Sequence, residues 1–414
     1  MVSDIKFCKK CLYSSEHPLG ITFNEDGVCS GCLIHEEKEK LDWNLRFKKL
    51  LKIVKRYKSK TKKNYDCIVP VTGGQDSYFI VHIVKNILKL NPLLVCNNKY
   101  FNTPLGIKNL TNLRIRFDCD ILIQNININS VKKITRYTLN EYGNIYWPVI
   151  AGQTLFPVNI SVKYKIPLII WGAHQGLEQV GMFSHEHEVE MTRRFREDHD
   201  LFGIEAENLL NLKNNLTEED IWQYRYPDDK ILNSIGVRGI YLGNYIKWDP
   251  AQQHQLMVKK FGFKTAKSNR TFDTYDHVDC FNYLNLHDKL KLFKHGYSKV
   301  TDHACREIRF NRLTRNTAIK LVKKYELEKV NYSDKFSEWL DIDTNSLNFI
   351  LDQFKNKKFW KQKSLREWNF NGLSKRLSFG HDLKVEKKMR TYFTANDTLE
   401  SGEGSDYIIF GKGI

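Results

Sequence analysis

Tyr65-Asp66-Cys67-Ile68-Val69-Pro70-Val71-Thr72-Gly73-Gly74-Gln75-Asp76-Ser77 is the stretch on which the fold turns. Its first half is a short apolar run that fits a buried strand. Its second half is a Gly-Gly turn opening a helix, because Phe79, Ile80, Ile83, Val84, Ile87 and Leu88 recur at helical spacing before Pro92. The alternation continues with Leu93-Leu94-Val95 as strand, 104–116 as helix, Ile121-Leu122-Ile123 as strand, 129–141 and 152–165 as helices, and Leu168-Ile169-Ile170-Trp171 as strand. This order predicts an α/β fold, a Rossmann-like parallel sheet wrapped by helices. Beyond about residue 215 the strand signals fade, and the apolar spacing at 284–294, 313–325 and 347–360 predicts helices.

A strand, a Gly-Gly turn and a helix starting at Asp76-Ser77 make an anion cradle, since free backbone N–H groups and the positive end of the helix converge on one point. The spacing is neither G-x-x-x-x-G-K-[ST] nor G-x-G-x-x-G.

The chain of 414 residues has 24 Phe, 20 Tyr and 8 Trp, a composition that excludes a disordered protein. It has no apolar run of the roughly 20 residues needed to cross a bilayer and no hydrophobic signal core at Met1–Cys8, so a soluble, cytoplasmic protein is expected. Lys plus Arg outnumber Asp plus Glu by 65 to 48, a net +17. Residues 36–63 carry +8 and residues 353–390 carry +9, which accounts for the whole excess. Phosphate binding is one reading of these segments. A solvated helix face is the other, favoured by the helical spacing of Leu41, Leu45, Leu51 and Val54 among the lysines.

Cys8-Lys9-Lys10-Cys11 and Cys29-Ser30-Gly31-Cys32 lie 17 residues apart, a spacing that predicts a structural zinc site of four thiolates. Ile21-Thr22-Phe23 between them is expected as a strand. The other cysteines, Cys67, Cys96, Cys119, Cys280 and Cys305, are isolated in sequence. The expected organisation is a zinc ribbon over 1–35, a basic helical linker over 36–63, the α/β domain over 64–245 and a mainly helical region over 246–414.

Thr72-Gly73-Gly74-Gln75-Asp76-Ser77 resembles the PP-loop of ATP-pyrophosphatases (HUP type), S-G-G-x-D-S, with a threonine hydroxyl for the first serine. Further segments resemble the N-acetyl sugar amidotransferases, the group of PseA-type pseudaminic acid proteins and WbpG-type O-antigen proteins. These are the cysteine pairs, Phe101-Asn102-Thr103-Pro104-Leu105-Gly106, Tyr146-Trp147-Pro148, Ile169-Ile170-Trp171-Gly172, Leu177-Glu178, Gly296–Ala304 and Arg309–Arg312. Thr72, Gln75 and Ala173-His174 depart from that pattern.

The resemblance implies conversion of a sugar acetamido group to acetamidino through O-adenylation and ammonia attack, with ATP, Mg2+ and Zn2+ required and AMP and pyrophosphate released. Pseudaminic or legionaminic acid, O-antigen or flagellin glycosylation would be the setting. It further implies that Thr72, Gly73, Gly74, Gln75, Asp76, Ser77, Gly172, Lys299, Thr301, Arg306 and Arg309 hold nucleotide. Tyr297, Lys299, Thr301 and Asp302 are expected as a second polar loop facing the first, with Asp76, Ser77, Tyr297 and Asp302 at the chemistry. Arg306 and Arg309 would neutralise phosphate or a sugar carboxylate, and Glu178 would meet the sugar.

The rival readings are a PP-loop tRNA thiolase and a non-catalytic zinc-ribbon nucleic-acid-binding protein. The scattered cysteines favour ammonia over sulfur, and the intact Gly73–Ser77 argues against a decayed, nucleic-acid-binding fold. His185-Glu186-His187-Glu188 is not H-E-x-x-H and reads as a solvated turn; Gly402-Glu403-Gly404 reads as a tail or lid. Residue 2 is Val2 and no unpaired cysteine sits in a G-x-C-x-G elbow, so glutamine use would need a separate glutaminase subunit, which the resemblance implies is of the histidine-biosynthesis type.

Overall fold

The computed structural model describes residues 5–210, 215–364 and 367–377. Five strands, β1 (Cys67–Pro70), β2 (Pro92–Asn97), β3 (Ile121–Gln124), β4 (Leu168–Trp171) and β5 (Arg238–Tyr241), form one parallel sheet in the order β3-β2-β1-β4-β5. Ile68 pairs with Leu93 on one side and Ile169 on the other. Strand order therefore reverses between β1 and β4, and in such sheets ligands bind beyond the carboxyl ends of the strands at that point.

Side-chain alternation along the strands fills two cores. Cys67 and Val69 share one with Leu50, Ile53 and Val54 of α2 (Trp43–Tyr57), Tyr78 of α3 (Gln75–Val81) and Leu113 of α4 (Pro104–Phe117). Ile68, Leu93 and Ile169 share the other with Leu155 and Val158 of α6 (Trp147–Tyr164), which follows α5 (Ile128–Tyr142) in the chain. Caps set the helix starts: Asp42 accepts from the N–H groups of Asn44 and Leu45, and Thr103 accepts from Gly106 with Pro104 behind it.

Three expectations need correction. β5 lies beyond residue 215; Arg238-Gly239-Ile240-Tyr241 offers a single aliphatic residue, yet it pairs along β4, buries Ile240 and Tyr241, and has its arginine satisfied by Glu190 in the interior. Ile21–Phe23 contributes one bridge, Phe23 to Cys29, and no strand. Trp360–Gln362 and Trp368–Phe370 add a small antiparallel hairpin to a C-terminal region otherwise built of helices, among them Phe281–His295, Lys299–Arg309, Arg315–Tyr325 and Thr344–Gln353.

The basic segment after the cysteines is two helices, α1 (Ser30–Lys40) and α2, broken at Leu41-Asp42. Lys48, Lys52, Lys55 and Arg56 are exposed on α2 while Leu50, Ile53 and Val54 are buried. The cysteine segment joins the C-terminal helices in one further core, where Phe7, Leu12 and Tyr13 meet Tyr297, Val300, Cys305 and Ile308. No helix among the described residues is long and apolar enough to cross a membrane. Gly402-Glu403-Gly404 lies outside the described residues.

Candidate functional site

At the switch point the turn after β1 is locked by its own side chains. Thr72 Oγ1 accepts from Gly74 N–H at 3.0 Å, and Ser77 Oγ accepts from Thr72 N–H at 2.8 Å. A Cβ at Gly73 would lie 2.2 Å from the Gly106 carbonyl oxygen, so only glycine lets α4 approach the turn. With the hydroxyls engaged, the first-turn amides of α3, which have no intrahelical acceptors, are left for an anion.

Two cavities flank this turn. One, of about 580 Å3, has an apolar wall of Ile107, Leu110, Ile121 and Ile123 and is also lined by Gly73, Cys96, Asn97, Asn102 and Arg114. The other, of about 380 Å3, lies towards β4 and is polar, lined by Gly74, Gln75, Asp76, Glu178, His254, Asp276, Asp302, His303, Arg306 and Arg309 among others. Thr72, Lys99 and Asp279 border both. Lys99 Nζ donates to Asp279 Oδ2 at 2.5 Å in a buried pair. Burial opposes the Lys99 charge, yet Asp279, Cys280 and Tyr146 together outweigh it and raise its pKa well above that of a free lysine.

The polar cavity is roofed by a chain of hydrogen bonds from the C-terminal region. Gln75 Nε2 donates to Asp276 Oδ1 at 2.6 Å, His303 Nε2 meets Asp276 Oδ2 at 2.8 Å, and His303 Nδ1 meets Thr271 Oγ1 at 2.6 Å. Burial works against ionisation of Asp276, but His277 and His303 outweigh it and hold the carboxyl well below the usual carboxylate range. Arg306 pairs with Asp273 and Glu307, and His254 Nε2 lies 3.1 Å from Asp76 Oδ1.

The residues expected at the site divide into two groups. Asp76, Thr72, Gly74, Gln75, Glu178, Asp302, Arg306 and Arg309 line the polar cavity, and Gly73 lines the apolar one. Ser77 is buried behind the turn, and Gly172 packs against Ile80 and Trp248. The expected second loop is instead the start of the helix Lys299–Arg309, so the i, i+4, i+7 spacing turns Asp302, Arg306 and Arg309 into the cavity. Tyr297, Lys299 and Thr301 are buried off the cavity; Tyr297 stacks on His17, and the Lys299 N–H donates to Asp288.

Tyr13, Lys99, His254, Asp276, Asp279 and His303 were not singled out by the sequence reading. Two signals mark part of this group: the acidic cluster Asp273-Thr274-Tyr275-Asp276-His277-Val278-Asp279-Cys280 just before a helical pattern, and the Gly296–Ala304 segment that contains His303. His185–Glu188 is not a solvated turn: His185 is buried edge-on to Trp43, and Glu188 pairs with Lys49.

The four cysteine sulfurs lie within 4.8 Å of one another and are fully buried. Cys8 and Cys32 sulfurs are 4.0 Å apart and those of Cys11 and Cys29 are 3.5 Å apart. Four Zn–S bonds of about 2.3 Å in a tetrahedron need S···S separations of about 3.8 Å, so the donor set fits one zinc ion. The Cys8 sulfur also accepts from the N–H groups of Lys10, Cys11 and Cys29, as a thiolate would.

Residues 269–374 match the family model described as LPS biosynthesis protein WbpG-like, C-terminal domain. That segment supplies Asp276, Asp279, Asp302, His303, Arg306 and Arg309 to the cavities and agrees with the WbpG-type resemblance. The chain is also similar to uncharacterized protein MJ1599 of Methanocaldococcus jannaschii, 28% identical over 121 residues, which cover 28% of this chain and 42% of that protein. The similarity thus spans less than half the length of that relative.

Proposed function

We propose that this chain is an ATP-dependent amidotransferase of glycan biosynthesis that converts a sugar acetamido group to acetamidino. The observation that carries the reading is the Thr72–Ser77 cradle between an apolar and a polar cavity, the polar one closed by the WbpG-like segment. ATP would place its base against Ile107, Leu110, Ile121 and Ile123 and its phosphates on the α3 amides in the manner of a PP-loop. Asp76 would hold magnesium, which would neutralise the departing pyrophosphate. Lys99 and Arg306, which line the polar cavity, would neutralise the charge that develops on the phosphates.

The acetamido sugar would occupy the polar cavity, its hydroxyls facing Glu178 and Asp302. Its carbonyl oxygen attacks the α-phosphorus and the α–β bond breaks. Ammonia then adds at the carbonyl carbon and AMP leaves. His254, which lines the cavity beside Asp76, is the group that would accept the proton that the nucleophile sheds. A sulfur-transfer reading would need a reactive thiol here. Burial pushes Cys96 up to about 12 and Cys280 up to about 11, which leaves both protonated at neutral pH.

Incubation with ATP, magnesium, ammonium and a panel of acetamido sugars tests this, with pyrophosphate release and the product mass as readouts. Pyrophosphate released only with a sugar, alongside the acetamidino product, is the expected result. Release with tRNA and none with any sugar would overturn the assignment.

A further inference from the structure

The four cysteines touch the wall of the polar cavity. Arg309 is buried, and its Nη2 approaches Cys29 Sγ at 3.8 Å while Nη1 donates to the carbonyls of Gln179 at 2.7 Å and Glu178 at 3.1 Å. The same guanidinium lies 5.3 Å from the centre of the Tyr13 ring. Tyr13 follows Cys11 by two residues, and its hydroxyl donates to Asp302 Oδ1 at 2.8 Å.

The contact is built from both sides. A Cβ at Gly31, between Cys29 and Cys32, would lie 2.4 Å from the Gln179 carbonyl oxygen and 2.2 Å from Arg309 Nη2. Ser30 Oγ donates to the Val180 carbonyl at 2.6 Å, and Lys38 of α1 donates to Glu178 Oε2 at 2.7 Å. Arg315 donates to the carbonyls of Cys11 and Cys8 at 3.1 and 3.3 Å. Glu178, which lines the cavity, keeps its other oxygen, Oε1, buried and without a partner.

We propose that the four-cysteine metal centre positions Arg309 and Tyr13, and through them the cavity wall of Glu178, Gln179 and Asp302, so that metal loading governs substrate binding. The identity of the substrate rests on the acetamido-sugar reading; the mechanical link does not. A planar guanidinium reaches a thiolate and two carbonyls at once, whereas an ammonium at the same place cannot span them. A thiolate fixed by a metal is a fixed acceptor, and the orientation of Arg309 follows from it.

The full-length chain tests this in three arms. Hydrogen exchange is measured with and without metal removal by a chelator, and faster exchange is expected in 176–182 and 300–309 with unchanged exchange in the β2 strand. For Arg309→Lys, transfer of zinc to a chromophoric chelator is expected to be faster by about 10- to 100-fold, the range for losing a group that supports a metal ligand. For Tyr13→Phe, zinc release should stay at the wild-type rate, while the sugar concentration for half-maximal pyrophosphate release rises several-fold with turnover little changed. Unchanged exchange over 176–182, exchange rising equally in β2, or wild-type zinc release from Arg309→Lys would each overturn the proposal. If no acetamido sugar supports pyrophosphate release, the reaction assignment falls, while the exchange and zinc-release arms still decide the link.

Discussion

Gln75 and Asp276, 201 residues apart in the chain, share a 2.6 Å hydrogen bond that fastens the Thr72–Ser77 turn to the C-terminal region. Asp276 also holds His303, so removing its carboxylate strands two partners at once. Asp276→Ala is expected to destabilise the protein by about 1–3 kcal/mol, the cost of leaving a buried polar group without its partner. Asp276→Asn, which keeps one acceptor, should lose less. Urea unfolding of both variants checks this, and equal midpoints for wild type and Asp276→Ala would show that the turn is held some other way.

A second expectation concerns acid. Burial opposes ionisation of Asp273, but His303 and Arg306 outweigh it and hold its carboxyl at about 2. A depressed carboxylate contributes stability that is fully present above its unfolded pKa, near 4, and is lost as pH falls through the folded value. Wild-type Tm should therefore drop from about pH 4 towards pH 2, and Asp273→Asn should flatten that part of the curve while lowering Tm at neutral pH. Parallel wild-type and variant curves between those limits would remove Asp273 from the account.

These two carboxylates mark the boundary of what the sequence makes legible. The sheet is readable because β1, β2 and β4 are continuous apolar runs with helical periodicity between them, and Leu168–Trp171 is recovered residue for residue. β5 is not, because its arginine and glycine carry no strand signal and the partner that lets Arg238 be buried, Glu190, lies 48 residues earlier. At the cavity, the glycine turn is a local signature. Lys99, His254 and Asp276 act through partners 180, 178 and 201 residues away, and no local pattern announces such pairs. The Tyr297–Asp302 segment misleads for a different reason: Gly296-Tyr297-Ser298 is turn chemistry, and only the helix that follows sorts Asp302 from Lys299 and Thr301.

Asp76 and Ser77 should behave differently although they are adjacent. Asp76 reaches into the cavity, and Asp76→Ala is expected to lower pyrophosphate release by about a hundredfold or more, as for loss of a group that stabilises charge in the transition state. Ser77 acts through the Thr72 N–H that it accepts from, so Ser77→Ala should cost less turnover and some stability. Steady-state pyrophosphate release and thermal unfolding separate the two. Near-normal release by Asp76→Ala would place the chemistry elsewhere.

Metal analysis of the purified chain should find about one zinc per molecule, the stoichiometry of a four-thiolate site. Cys29→Ser is expected to lose that zinc and to unfold at lower temperature, because the sulfurs are enclosed in the core shared with Tyr297, Val300 and Cys305. A Cys29→Ser protein that retains both zinc and the wild-type Tm would show that the ion is held differently.

The nitrogen source is the last expectation, and it follows from the state of the remaining thiols. Hydrolysing glutamine needs a cysteine that ionises near neutral pH beside a base. Burial holds Cys67 well above its ordinary value, Cys96 at about 12, and Cys119 and Cys280 at about 11. Cys305 is enclosed in the core, where its sulfur accepts the Leu12 N–H. Under the proposed reaction, the isolated chain should therefore work with ammonium salts, faster as pH rises and the free amine fraction grows. Glutamine should support turnover only once a separate glutaminase is added. Amidine formation measured with each nitrogen donor, with and without such a partner, decides it. Efficient glutamine use by the single chain, abolished by replacing one of its own cysteines, would overturn this division of labour.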